Sequence, residues 1–197
     1  MAKPKLILLN GFAASGKTTL AKKYIDEHPL ALLIEGDELV VSMGQWLAHN
    51  DQARALVYEL TKSMIDVQLQ SGHDVILPYL VLDSDHAAQF RSIADRHNAD
   101  FYNIYLYSNR SVAIDRLRRR GTWGEAGADP VGDKDMPKIN ELYDAMEQAL
   151  QRQADVKTID PNGRPADQTY GLLKQLLLQS VRPPRAWSVG IEASPQR

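Results

Sequence analysis

The chain contains no cysteine. Disulfides, thiolate zinc sites and cysteine nucleophiles are therefore excluded, and the redox compartment stays open. Long apolar runs are missing as well, since no stretch approaches the ~20 apolar residues of a membrane span. "MAKPKLILLNGF" at the N-terminus has a basic start, but its apolar stretch is too short and lacks a cleavage-type end. No signal peptide is expected there, and the expectation is a cytoplasmic protein. An excess of positive charge is also lacking: the net charge is −2, so no global basic field recruits nucleic acid or an anionic membrane. What remains is ordinary for a soluble globule, with 197 residues, 44% of them hydrophobic and 24% charged. That length suits one domain with a proper core.

Short apolar runs alternate with longer amphipathic stretches. Strands are expected at residues 5–10, 30–35, 75–80, 101–107 and 156–159, and helices at 17–28, 84–97, 111–120, 136–153 and 166–181. Residues 37–49 read as mixed and helical. From Asn50-Asp51 to Gly72 a helical stripe runs through Ala53, Leu56, Val57, Leu60, Met64 and Val67, and it reads as core. Pro78 is expected to end the regular pairing of the third strand. Residues 1–181 are expected to form a single domain, and 182–197, "RPPRAWSVGIEASPQR", a mobile tail. Five apolar strands separated by helices imply an α/β fold: a parallel sheet with right-handed crossovers and helices on both faces. The ligand site of such a sheet lies beyond the carboxyl ends of its strands.

"GFAASGKT", residues 11–18, fits G-x-x-x-x-G-K-[ST], with a buried strand before it and a helix opening within it. The glycines let successive amides point at an anion, and the helix N-terminus adds partial positive charge. Lys17 can reach the β- and γ-phosphates, and the Thr18 hydroxyl is placed to ligate Mg²⁺. The expected nucleotide contacts are Gly11, Ala13, Ala14, Ser15, Gly16, Lys17, Thr18 and Thr19. Further on, "RLRRRG" ends the helix after strand four. Arg116 and Arg120 share one helical face, and Arg118 and Arg119 point elsewhere. A glycine-rich stretch follows, with Gly121, Gly124, Gly127 and Gly132, and the segment 116–135 reads as a lid that brings arginine charge over a triphosphate.

With these pieces the chain resembles the P-loop small-molecule kinases of the nucleoside-monophosphate-kinase type, above all the branch with chloramphenicol phosphotransferase, zeta-toxin kinases and gluconate kinase. The matching segments are "GFAASGKTT", "IEGDEL", "GHDVILPYLV", "RLRRRG" and "TIDPNG", spread over residues 5–181. The resemblance implies a five-stranded sheet in order 2-3-1-4-5 with a lid, and phosphoryl transfer from ATP with Mg²⁺. It implies that Arg116 packs near the adenine and Arg120 contacts the transferred phosphate. It also implies that the Pro161-Asn162-Gly163 loop lies beside the base, and that Asp37 meets the acceptor hydroxyl. One departure is plain: strand three, Val75 to Leu80, ends without the acid that commonly helps hold Mg²⁺. Asp37 is the leading replacement, so Thr18 and Asp37 are the candidate metal ligands.

The expectation is an ATP-dependent kinase acting on a hydroxyl of an antibiotic-, sugar- or nucleoside-like small molecule, with Lys17, Asp37, Arg116 and Arg120 as catalytic candidates. Asp37 is open to three roles: base, holder of the metal's waters, and helix cap. The cap is weakened because Val40, three residues on, completes no capping box. Glu35 is the alternative carboxylate. Rival readings are a nucleotide-sugar kinase like the zeta toxins, a nucleotide-dependent switch, which lacks an N-K-x-D segment, and a polynucleotide end kinase, which the acidic balance disfavours. Tyr79 reads as packing rather than acceptor lining, Trp46 and His49 as surface groups, and His73 and His86 make no zinc site. His28 and His97 end helices, Trp123 sits in the lid, and Lys134 is a minor candidate for phosphate.

Overall fold

A computed structural model describes residues 3–123, 130–153 and 155–178. Gly124 and Gly127 of the expected lid, and the tail 182–197, lie outside the described residues. Five parallel strands form one sheet: β1 (Lys5–Gly11), β2 (Leu32–Leu33), β3 (Val75–Pro78), β4 (Asp100–Leu106) and β5 (Lys157–Ile159), in the order β2-β3-β1-β4-β5. This is the order expected of a P-loop NTPase. The helices are α1 (Lys17–Glu27), α2 (Gly36–Val41), α3 (Asn50–Gln70), α4 (Ser84–Arg96), α5 (Arg110–Arg120), α6 (Met136–Arg152) and α7 (Ala166–Leu178), with a 3-10 turn at Asp133–Asp135.

The central strand explains why the sheet is covered on both faces. Side chains alternate along β1, so Leu6 and Leu8 pack with Ile65 and Leu69 of α3 and Phe90 and Ile93 of α4. Ile7 and Leu9 pack on the other face with Leu20, Ala21 and Tyr24 of α1 and Tyr170 and Leu173 of α7. All four β1 residues are fully buried, which accounts for the unbroken apolar run in the sequence.

Pro78 is the last residue of β3, and its missing N–H costs the ladder nothing. Ile76 carbonyl accepts from Ile34 N–H on the β2 side, while Tyr79 N–H donates to Leu9 carbonyl on the β1 side. Pro78, two residues after Ile76, faces the β2 side, where the short edge strand has already ended at Leu33. β2 itself is shorter than the expected 30–35. It starts only after Leu30, exposed and left-handed at φ 63°, has turned the chain out of α1. The helix expected over 37–49 is likewise confined to α2, with turns from Ser42 to His49.

The largest correction concerns α3. Leu56, Leu60 and Val67, expected in the core, are 53%, 42% and 62% exposed. The buried row is Ala53, Val57, Thr61, Ile65 and Leu69, one residue every four. Thr61 is the reason the row is hard to see. It is a polar residue in the middle of an apolar stripe, and it is fully buried because its hydroxyl shares a 2.9 Å hydrogen bond with Tyr79 Oη.

Candidate active site

The carboxyl ends of all five strands open on one edge. There the phosphate loop follows β1, Glu35 to Asp37 follow β2, Tyr79 follows β3, Ser108 follows β4 and Pro161 follows β5. The loop is anchored before it is shaped. Phe12 is buried in a cluster with Leu117, Ile139 and Met146, and its ring meets Tyr143 edge-on at 5.4 Å. Ala13 packs against the same cluster. Gly11 has φ 148°, and a Cβ there would lie 2.8 Å from the Leu106 carbonyl, so only glycine fits. Gly16 caps α1 at φ 97° with no side-chain cap, leaving the first amides of the helix open to a ligand.

Lys17 folds back over this loop. Its Nζ donates to Gly11 O at 2.7 Å and to Phe12 O at 2.9 Å. Burial pulls its pKa down to about 8; nearby Asp37 opposes that shift and Arg120 adds to it. Ser15 is 5% exposed, and its Oγ is fully buried with no hydrogen-bond partner.

A cavity of about 570 Å³ lies over residues 14–19 and is walled by Lys22, Glu35, Glu38, Arg116, Arg119 and Arg120. A second lobe of about 180 Å³ shares Ala14 to Gly16 and Thr19 with it and ends against Pro161, Arg164 and Thr169. Arg116 borders both lobes. Its guanidinium donates to Ser108 Oγ and to Pro161 O, each at 3.2 Å, so it ties the β4 and β5 ends together beside the loop. Asn162 follows Pro161; its side-chain Oδ1 is buried and unpartnered, and its backbone N–H donates to Asp160 Oδ1 at 2.8 Å. Arg118 turns away to Asp133 at 2.7 Å. Arg119, expected to point elsewhere too, reaches the cavity wall while pairing with Asp115 at 2.9 Å. The expected lid is pinched at its base, where Val131 N–H donates to Gly121 O at 2.9 Å.

The carboxylates after β2 divide between two faces. Glu35 and Glu38 line the cavity, and Glu35 lies 3.7 Å from Lys22 Nζ. Asp37 is 62% exposed in the first turn of α2, and its Oδ1 lies 3.5 Å from Arg54 Nη1. It makes no cap, because Glu35 occupies the N-cap position and no side-chain cap bond is formed. Tyr79 is half-buried. Its hydroxyl engages Thr61 and its ring meets Phe90 edge-on at 6.2 Å, so the packing reading fits what is seen. Burial raises its pKa, and Asp37 raises it further. Trp46 packs on Val40, Ala53 and Val57, and His49 is exposed.

Gly36 is the tightest point of this corner: a Cβ on it would lie 2.4 Å from Tyr79 Oη and 2.6 Å from Cζ. With Tyr79 held by Thr61 and Phe90, the ring has little room to yield. Gly36→Ala is expected to cost about 1–3 kcal/mol in thermal unfolding, whereas Gly44→Ala, with open space, stays within about 0.5 kcal/mol. Equal effects of the two would contradict this packing.

Among the described residues no group of three or more His, Cys, Asp or Glu is gathered for a metal. The donors beside the loop are nonetheless hard oxygens, Thr18 and Glu35 on the cavity wall and Asp37 nearby. A Mg²⁺ that takes most of its ligands from phosphates and water fits such a set. No described helix is long and apolar enough to cross a membrane.

Motif spacing did not point to Arg54, Glu38, Lys22, Gly36 or Asn10. Asn10 alone left a trace in the sequence, as a polar residue ending a buried strand and 3% exposed.

Comparison with known proteins agrees with this geometry. An AAA domain family matches residues 6–156. The tunicamycin resistance protein of Deinococcus radiodurans superposes at TM-score 0.57 and 16% identity, covering 92% of this chain and 99% of that one. The Mycobacterium tuberculosis APS kinase in complex with AMPPNP and APS gives 0.57 and 17%, over 90% and 99%. A kinase-like protein of Chloroflexus aurantiacus gives 0.64 and 18%, over 88% and 98%. At such identities these likenesses establish the P-loop kinase fold. No curated protein matches the sequence.

Proposed function

We infer that this chain, which belongs to the AAA domain family, is an ATP-dependent phosphotransferase that moves the γ-phosphoryl group onto a hydroxyl of a small molecule. The observation that carries this reading is the two-lobed cleft. One lobe is walled by Lys17, Lys22 and three arginines, and the other is a narrower slot ending at Pro161 and Arg164, with Arg116 between them. That shape and charge suit a polyanion joined to a planar base. AMPPNP bound to the APS kinase neighbour supports an adenine nucleotide.

In the proposed reaction the acceptor oxygen forms a bond to the γ-phosphorus as the bond to the β–γ bridging oxygen breaks. ADP leaves, and the hydroxyl proton passes to Asp37. Arg54 Nη1 lies 3.5 Å from that carboxylate and holds it in place. Loop amides and Lys17 hold the β- and γ-phosphates, and Arg120 faces the charge that spreads over the transferred group. Thr18, with Asp37 through water, would hold Mg²⁺, which neutralises phosphate charge when bound. The direct test is a panel of hydroxyl compounds assayed for acceptor-stimulated ADP release. Stimulation by at least one is expected, and ATP turnover indifferent to every acceptor would sink the reading.

The lowered pKa of Lys17 adds a pH signature. Near pH 8 half of the empty sites hold a neutral lysine, and a triphosphate restores the charge, so binding takes up a proton. AMPPNP affinity is expected to fall by up to about tenfold per pH unit above pH 8. Calorimetry in buffers of different ionisation heat measures the uptake directly. Equal affinity and no proton uptake across about pH 7–9 would contradict it.

A further inference from the structure

One buried side chain joins the nucleotide half of the cleft to the acceptor half. Beyond Pro78 the β3 ladder has ended, yet the chain stays fastened to β1. Tyr79 N–H donates to Leu9 O at 3.0 Å, and the Asn10 side chain then takes over. Asn10 Oδ1 accepts from Val81 N–H at 3.1 Å, and its Nδ2 donates to Val81 O at 3.3 Å. Both polar groups of Val81 are thus met by one amide, which imitates a strand residue across 71 positions of sequence. The same Oδ1 also accepts from Gly11 N–H at 2.8 Å, the first amide of the phosphate loop. Two N–H donors on that atom require it to be the oxygen.

From Val81 the connection continues by packing. Tyr79, two residues back, is fixed by Thr61 and lies against Gly36, and Gly36 precedes Asp37. We propose that Asn10 is a positioning residue: it links occupancy of the phosphate loop to the placement of the wall that carries Asp37. The proposal rests on the kinase reading in one respect, that the loop takes a nucleotide and the Asp37 side takes the acceptor. Its physical basis is that both lone pairs of Oδ1 are committed, one to each segment. A change in direction of the Gly11 N–H therefore turns the Asn10 amide, and Val81 must follow or lose its bonds in a buried place.

Amide hydrogen exchange of the full chain, followed by NMR with and without Mg²⁺–AMPPNP, tests this. In the wild type, nucleotide is expected to slow exchange on the order of tenfold at Leu39, whose N–H donates to Glu35 O on the Asp37 wall and makes no bond to Asn10, together with the loop amides of residues 14–18. In Asn10→Ala the loop amides still respond and Leu39 does not. A merely structural role would lower the melting temperature and leave the Leu39 response in place, which would overturn the proposal. Should Asn10→Ala fail to fold, the wild type alone keeps the test: a Leu39 indifferent to nucleotide while the loop responds refutes the bridge alone. Absence of any response to AMPPNP refutes both the bridge and the kinase reading.

Discussion

Lys17→Met is expected to lower acceptor-stimulated phosphoryl transfer by about 10²–10³-fold, with the fold intact. The ammonium is the one charge held inside the phosphate loop, and its burial is unfavourable enough to bring its pKa down to about 8. Without nucleotide its only hydrogen bonds among the described residues run to two loop carbonyls, Gly11 O and Phe12 O. Methionine fills similar space without a desolvated charge, so stability should hold or rise slightly. The sign in pH follows. The folded pKa lies below the ordinary 10.5, so the unfolded chain binds the proton more tightly, and this group's contribution to stability grows as pH rises from about 8 to 10.5. Lys17→Met should lose that rise. Thermal unfolding against pH, with kcat measured in parallel, checks both halves. A variant that folds and transfers phosphate normally contradicts the assignment.

Asp37→Asn is expected to reduce acceptor-dependent kcat by about 10²–10⁴-fold while leaving nucleotide affinity close to wild type. Amide and carboxylate have the same shape, and the side chain is largely exposed, so the stability change should stay within about 0.5 kcal/mol. Glu35→Gln is the necessary companion, because Glu35 and not Asp37 lines the cavity in this arrangement. Its effect is expected to be below about tenfold, as a positioning loss at the Lys22 pair. If the order of the two variants is reversed, the proton goes to Glu35, and Asp37 serves to orient Arg54 and Tyr79.

The parts of this protein legible in the sequence are those whose cause is local. The phosphate loop is a contiguous pattern, and a continuously apolar strand before it is enough to place it. Arg116 and Arg120, four apart, both reach the cleft because a helix aligns them whatever surrounds it. The sheet order came with the resemblance, and the pairing of β3 between β1 and β2 bears it out. What stayed hidden depends on distant partners. The buried row of α3 is masked in the sequence because Thr61 interrupts it, and Thr61 is explained only by Tyr79, 18 residues away. Asn10 has no meaning without Val81, and Gly36 none without the Tyr79 ring. The pairing of Asp37 with Arg54 needs α2 to be short, so that the chain turns and brings α3 alongside. A polar residue inside a buried element was the one available sign, present at Asn10 and at Thr61 alike.

The central claim is that a phosphoryl group passes from nucleotide to a hydroxyl through this cleft. Mass spectrometry of a mixed hydroxyl library incubated with Mg²⁺–ATP and either the wild type or Lys17→Met tests it most directly. The account predicts at least one compound gaining a single phosphoryl group, in amount equal to the ADP formed, at a rate about 10²–10³-fold lower with Lys17→Met. ADP matched entirely by inorganic phosphate, or the product formed at the same rate by both proteins, would contradict it.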